Sequence, residues 1–135
     1  MKKVSFTFLM KPISKDNYKS SVPIKKNGKF ICVPRLADYY KQYEIALAED
    51  AENQMLNQGV ATIGKTKQIW VTKLNLFFDR EPTTSDFFNF GKSLFDSLNG
   101  VVYEDDSQII GFMGVGKKMK DKESPRIELE LSWEE

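Results

Sequence analysis

Oxygen donors and one amine crowd a single stretch of this chain. Between Ser85 and Gln108, SDFFNFGKSLFDSLNGVVYEDDSQ carries Asp86, Asn89, Lys92, Asp96, Asp105 and Asp106. Carboxylates and an amide oxygen suit a hard divalent cation, and Mg²⁺ needs only one or two protein carboxylates, with waters and a substrate phosphate completing its octahedron. The three consecutive acids Glu104, Asp105 and Asp106 repel one another unless they are solvated or hold a cation, so they read either as a solvated turn between strands or as part of a cation site. The 135 residues include no histidine. That excludes triads with an imidazole base, HExxH metallopeptidases and nucleases built on a histidine. What remains for hydrolysis is carboxylate and metal, with a lysine to help.

The elements around these groups follow from periodicity. At about 100° per residue, Phe87, Phe90, Leu94 and Leu98 share one arc with Gly91 and Phe95 beside them, while Asp86, Asn89, Lys92, Ser93 and Asp96 fall opposite. This spacing predicts an amphipathic helix over Asp86 to Leu98, with Thr84 or Ser85 as its N-cap and Asn99-Gly100 ending it. Phe88 lies at the border of the apolar arc, beside the polar groups. The helix follows the clearest strand pattern in the chain, Lys67 to Phe78, in which Trp70, Thr72, Leu74, Leu76 and Phe78 alternate with Ile69, Val71, Lys73, Asn75 and Phe77.

At these residues the chain resembles the RusA family of Holliday junction resolvases: Asp86, Asn89-x-x-Lys92, then Phe95-Asp96-x-Leu98-Asn99-Gly100, then Glu104-Asp105-Asp106-Ser107-Gln108. The family pattern is Asp-x-Asp-Asn-x-x-Lys, a helix ending in Leu-Asp-Ala-Leu-Asn-Gly and a Glu-Asp-Asp-Ser-Gln-like turn, and the spacing is kept throughout. The resemblance covers most of the chain and is much weaker outside this core. It implies a small homodimeric, Mg²⁺-dependent (or Mn²⁺-dependent) endonuclease, often carried by prophages, that nicks four-way or branched DNA. Carried over by position, the catalytic residues are Asp86, Asp106 and Lys92, and the metal donors Asp86, Asp106, Asp105 and Asn89. The family's second aspartate falls on Phe88, which cannot ligate a metal. Two readings stay open: a resolvase working with the remaining oxygens, or a junction-binding protein whose nuclease centre is impaired. The run of arginines that often precedes the first aspartate is reduced to Arg80.

The remaining chain is consistent with one domain over residues 1–135, of α+β class: a mixed β-sheet with two main helices packed on it, RusA-like. Its composition, 41% hydrophobic and 13% aromatic, is that of a globular protein. Val4 to Met10 alternates as a half-buried strand. Lys11 to Lys29 is a lysine-rich polar loop with one acid, Asp16; Phe30 to Pro34 reads as a strand closing a hairpin with it. Leu36 to Asn57 reads as the longest helix, burying Leu36, Tyr39, Tyr40, Tyr43, Leu47, Ala51, Met55 and Leu56 and presenting Glu44, Glu49, Asp50 and Glu52 on its other face. Gln108 to Met119 reads as one glycine-containing strand, followed by a lysine cluster, and Ile127 to Trp133 closes the sheet. In a DNA-binding protein, phosphates would be met by Lys11, Lys15, Lys19, Lys25, Lys26, Arg80, Lys117 and Lys118. The net charge is only +1. GVGKK at Gly114 to Lys118 lacks the spacing and the following Ser or Thr of a phosphate loop, so no nucleotide cofactor is expected. Cys32 stands alone, which rules out a disulfide or a zinc cluster. No apolar run approaches a bilayer span, and MKKVSFTFLMKP has charges too close to its short apolar stretch to read as a signal peptide, so no membrane is expected and the cytoplasm is the default location.

Overall fold

The computed structural model describes residues 1–14, 19–36, 38–82, 87–114 and 116–135. In chain order these form β1 (Lys2–Phe8), β2 (Lys19–Lys26), β3 (Lys29–Leu36), α1 (Asp38–Gln58), β4 (Ile69–Phe78), α2 (Phe87–Ser97), a 3₁₀ turn (Asp106–Gln108), β5 (Ile109–Phe112), β6 (Gly116–Lys120) and β7 (Arg126–Trp133). The main sheet is mixed and five-stranded, in the order β1-β7-β4-β5, with β6 also paired to β4. β7 runs antiparallel to both β1 and β4, whereas β5 and β6 run parallel to β4. This is the expected α+β architecture. Among the described residues no helix is long and apolar enough to cross a membrane.

The core lies between one sheet face and the two helices. Val4, Phe6 and Phe8 of β1 and Ile127, Leu129, Leu131 and Trp133 of β7 are buried at every second position, as the alternation predicts. α1 buries Tyr40, Leu47, Ala51 and Met55, but Tyr39 and Leu56, both expected inside, are exposed. α2 buries Phe90, Leu94 and Leu98 as expected, and Phe90 meets Phe78 of β4 edge-on at 5.3 Å between centroids. Ser93, expected on the polar face, is buried, because α1 packs against that side: Tyr40 brings its hydroxyl to Ser93 and Ser97.

Strand β4 departs from strict alternation. Ile69 and Val71 are buried, and so are Leu74 and Leu76, although the two pairs are out of phase. The pairing with β7 shifts register between Val71 and Lys73, and this bulge turns both halves of the strand to the same core face. The bulge also divides the neighbouring edge. β5 pairs with Ile69 to Val71 and β6 with Leu74 to Phe78, so the single strand expected from Gln108 to Met119 is two. Gly114 between them passes so close to Thr72 that a Cβ there would lie 2.0 Å from the Thr72 carbonyl oxygen. The glycines of this segment serve close backbone approach, not phosphate binding, and Lys117, Lys118 and Lys120 of the lysine cluster lie within β6 rather than after the strand.

The stretch expected as a loop up to Lys29 holds β2, which pairs with β3 as a separate two-stranded sheet. Its turn is Asn27-Gly28, with φ of 54° and 79°. Two consecutive positive φ values mark the type I′ turn that Asn-Gly favours.

At the outer edge of the sheet, β1 is closed by α1. The Gln54 amide accepts from Thr7 N at 3.0 Å and donates to Thr7 O at 2.9 Å; the Gln58 amide does the same for Ser5 at 3.1 and 2.7 Å. Four residues advance a helix by about 6 Å, and two advance a strand by about 6.6 Å. The two glutamines therefore match the free edge of β1 and take the place of a further strand.

Candidate functional site

Helix α2 leans over the start of β5, and between them lies a shallow hollow of about 200 Å³. Lys92 and Phe88 of α2 line one side, and Asp106, Ile109 and Phe112 line the other. Lys92 and Asp106, fourteen positions apart in sequence, are thus brought to one small concavity. Among the described residues Lys92 forms no ion pair, and the residue is exposed.

The three adjacent acids have separate tasks. The Glu104 carboxylate accepts from the Lys65 backbone N–H. The Asp105 carboxylate caps the 3₁₀ turn, accepting from the Ser107 N–H at 3.3 Å and from the Ser107 hydroxyl. Those bonds, with a smaller contribution from Lys65, hold its carboxyl below the usual carboxylate range. Asp106 is left to face the hollow. Gln108 locks the turn in return: its Oε1 accepts from Asp105 N at 2.9 Å, completing a capping box. Its buried Nε2 donates to Gly64 O at 2.8 Å and Lys67 O at 3.2 Å.

The acidic turn is tied to α2 by Tyr103, a residue that sequence reasoning passed over. Its ring is fully buried and its hydroxyl donates to Phe95 O at 2.6 Å. Burial, then the negative charges of Asp106, Asp96 and Asp105, push the phenol pKa up, so the hydroxyl stays a donor. Gly100, at φ 80°, ends α2 and donates its N–H to Tyr103 O at 2.8 Å. The only advance signal for Tyr103 was a large aromatic set between an Asn-Gly helix stop and the acids.

Of the other candidates, Asn89 lies exposed on α2 one residue beyond Phe88. Asp86 lies outside the described residues, as do the expected caps Thr84 and Ser85. Phe88 is 64% exposed and meets Phe112 edge-on at 5.9 Å. Among the described residues no group of three or more acids, cysteines or histidines could by itself hold a metal ion. The donors fit a hard cation only in the sparse manner of Mg²⁺, with Asp106 as the described carboxylate in the hollow and Asp86 as its sequence-predicted partner.

The described basic residues expected to meet DNA belong to four separate segments of the chain. Lys11 binds Asp79 at 2.7 Å and Arg80 approaches the same carboxylate at 3.5 Å, so part of that charge is neutralised. Lys25 and Lys26 end β2 just before the exposed Asn27-Gly28 turn, Lys19 opens β2, and Lys117 and Lys118 lie on β6. Lys15 is outside the described residues.

A family model described as endodeoxyribonuclease RusA matches residues 10–132. No curated protein matches the chain.

Proposed function

From the premise that this chain belongs to the RusA endodeoxyribonuclease family of Holliday junction resolvases, we propose that it nicks branched DNA at the hollow between α2 and the acidic turn. The observation that carries this reading is the convergence of Lys92 and Asp106 on one concavity, held by the Tyr103–Phe95 hydrogen bond. The family is one of metal-dependent enzymes acting on branched DNA. For this chain we assign the cation as Mg²⁺, with Mn²⁺ as a substitute, and the assembly as a homodimer, since a junction needs two symmetric nicks.

Asp106 and Asp86 would hold the cation, with Asn89 and Asp105 as further oxygen donors. A divalent ion held there supplies Lewis-acid polarisation of the phosphodiester. Lys92 offers its ammonium to the negative charge that builds on the phosphoryl oxygens, an electrostatic contribution of the kind whose loss costs ~10²–10³ in rate. Tyr103 and Gln108 are positioning residues: one sets the acidic turn against α2, the other sets it against the Gly64–Lys67 loop. The protein would act in the cytoplasm, on chromosomal or phage recombination intermediates.

The test is cleavage of a labelled synthetic four-way junction with Mg²⁺ or Mn²⁺, beside binding in EDTA. Paired symmetric nicks, lost in Asp106→Asn, are expected. Junction binding without any nicking would favour the impaired reading, for which the exposed phenyl ring of Phe88 in the hollow is the specific motive.

A further inference from the structure

A second concavity, larger than the hollow, lies at the same end of the sheet. It is an open cleft of about 690 Å³ behind the C-terminus of α1, walled by the Gly59 to Gly64 segment and by Lys2, Lys3, Lys67 and Trp133. Lys2 and Lys3 begin β1, Trp133 ends β7 and Lys67 precedes β4, so three separate parts of the chain bring lysines and an indole to one place. The acid inside it is Glu135, paired with Lys2 at 2.6 Å. Lys2 first, then more weakly Lys67, hold the Glu135 carboxyl below its usual range. Three lysine side chains outnumber the one acidic side chain in the lining.

Its position relative to the hollow follows from the strand register. Lys2 pairs with Trp133, Trp133 with Ile69, and Ile69 with Ile109, one row of partners across β1, β7, β4 and β5. Ile109 lines the hollow directly after the Asp106–Gln108 turn. Three strand spacings make about 14 Å. That is about four nucleotide rises of a DNA strand at 3.4 Å each. One loop forms the partition between the two sites: Ile63, Gly64 and Lys67 line the cleft, while Gly64 and Lys67 offer their carbonyls to Gln108 of the acidic turn.

We propose that this cleft binds backbone phosphates of a DNA arm leading away from the hollow, with Lys3 and Lys67 touching phosphate and Lys2 exchanging Glu135 for it. The inference rests on the endonuclease reading of the hollow. It adds a DNA-binding surface distinct from the basic residues singled out in the sequence, none of which, among the described residues, lines the cleft. Phosphate interactions of this kind set affinity and position without reading sequence. Because the cleft and the hollow share one rigid loop, an arm seated in the first is registered against Asp106 and Lys92 in the second.

The test uses the full chain and a labelled four-way junction, with dissociation constants measured in EDTA over a series of salt concentrations. Lys3→Glu and Lys67→Glu are made singly and together, with Lys41→Glu on α1 as a charge-matched control; Lys67→Gln gives a milder change at the half-buried position, and thermal melts check each fold. The double variant is expected to weaken in affinity by about tenfold or more, and its salt slope to fall by about two, one for each phosphate that a lysine no longer neutralises. Lys67→Gln shifts the same way, and Lys41→Glu stays near wild type. Affinity and slope unchanged in the folded double variant, or lowered equally by Lys41→Glu, would overturn the cleft as a DNA site and leave the endonuclease reading standing. A wild-type protein that binds no junction at all would overturn that reading and the cleft with it.

Discussion

The Tyr103 hydroxyl donates to the Phe95 carbonyl at 2.6 Å, across the joint between α2 and the acidic turn. Phe95 stands in the last turn of α2, where its carbonyl accepts from the Leu98 N–H at 3.2 Å. Tyr103 adds a second donor from the segment that carries Asp106. One bond thus ties the last turn of the helix that bears Lys92 to the acidic turn.

Tyr103→Phe keeps the buried ring and removes only that donor. A net loss of about 1 kcal/mol is expected by chemical denaturation, since the Phe95 carbonyl loses the phenol but keeps the Leu98 N–H at 3.2 Å. Junction cleavage should fall while junction affinity in EDTA holds, because the phosphate-binding lysines are untouched. Equal losses of affinity and rate would show that Tyr103 maintains the whole fold and not this joint.

Alkaline pH acts on the same residue. Burial and the surrounding acids raise the Tyr103 pKa, whereas in the unfolded chain a tyrosine ionises near 10. Its contribution is therefore fully present below about pH 10 and declines above it, as the unfolded state alone gives up the proton. Unfolding midpoints followed upward from about pH 9 should drop more steeply for the wild type than for Tyr103→Phe.

The closure of the β1 edge makes a different prediction. Gln54→Ala with Gln58→Ala strips the amides from Ser5 and Thr7 and leaves four backbone groups to water. These bonds are solvent-exposed, so about 1–2 kcal/mol in total is expected, together with greater self-association through the uncovered strand edge. Sedimentation against concentration reads the second effect; a double variant as monodisperse as the wild type would refute the strand-mimic role.

What was readable beforehand was local. The helix over Phe87 to Ser97, its end at Gly100 and the grouping of Lys92 near the acids all follow from spacing within one turn or one short connection. The division of labour among Glu104, Asp105 and Asp106 depends instead on Lys65, Gly64 and Lys67, some forty positions away, where no periodicity links the two. The bulge at Thr72 was equally hidden, because period-two alternation holds on each side of it and fails only at the junction. The hairpin of β2 and β3 is a different case: its Asn27-Gly28 turn is a strong local signal that the surrounding lysines masked.

Acid pH should act through Arg126. Its guanidinium binds Asp121 at 2.7 Å and Glu128 at 3.0 Å and lies over the Phe77 ring at 3.6 Å. The bond to Arg126 lowers the Asp121 pKa; for Glu128, burial pushes upward but Arg126 and Lys73 outweigh it. Depressed carboxyls stabilise the fold above their unfolded pKa values of about 4 and cease to do so as pH falls through the folded ones. Arg126→Gln should therefore flatten the acid limb of a stability profile taken from about pH 7 to about pH 3, with the difference from wild type greatest at the neutral end.

The remaining prediction concerns Phe88. Its ring is 64% exposed beside Lys92 and Asp106, so Phe88→Asp sacrifices little burial, and a change in stability within about 1 kcal/mol is expected. The new carboxylate would stand at the family's second aspartate position and add a donor where a hard cation is proposed to bind. If the wild type cleaves with the sparser set, the variant should do so at a lower Mg²⁺ concentration; if the wild type only binds, nicking should first appear in the variant. Either gain should vanish when Asp106→Asn is added, since both carboxylates face the same hollow. A Phe88→Asp protein that folds, binds the junction and shows no change in Mg²⁺ dependence or nicking would place the chemistry elsewhere on the molecule.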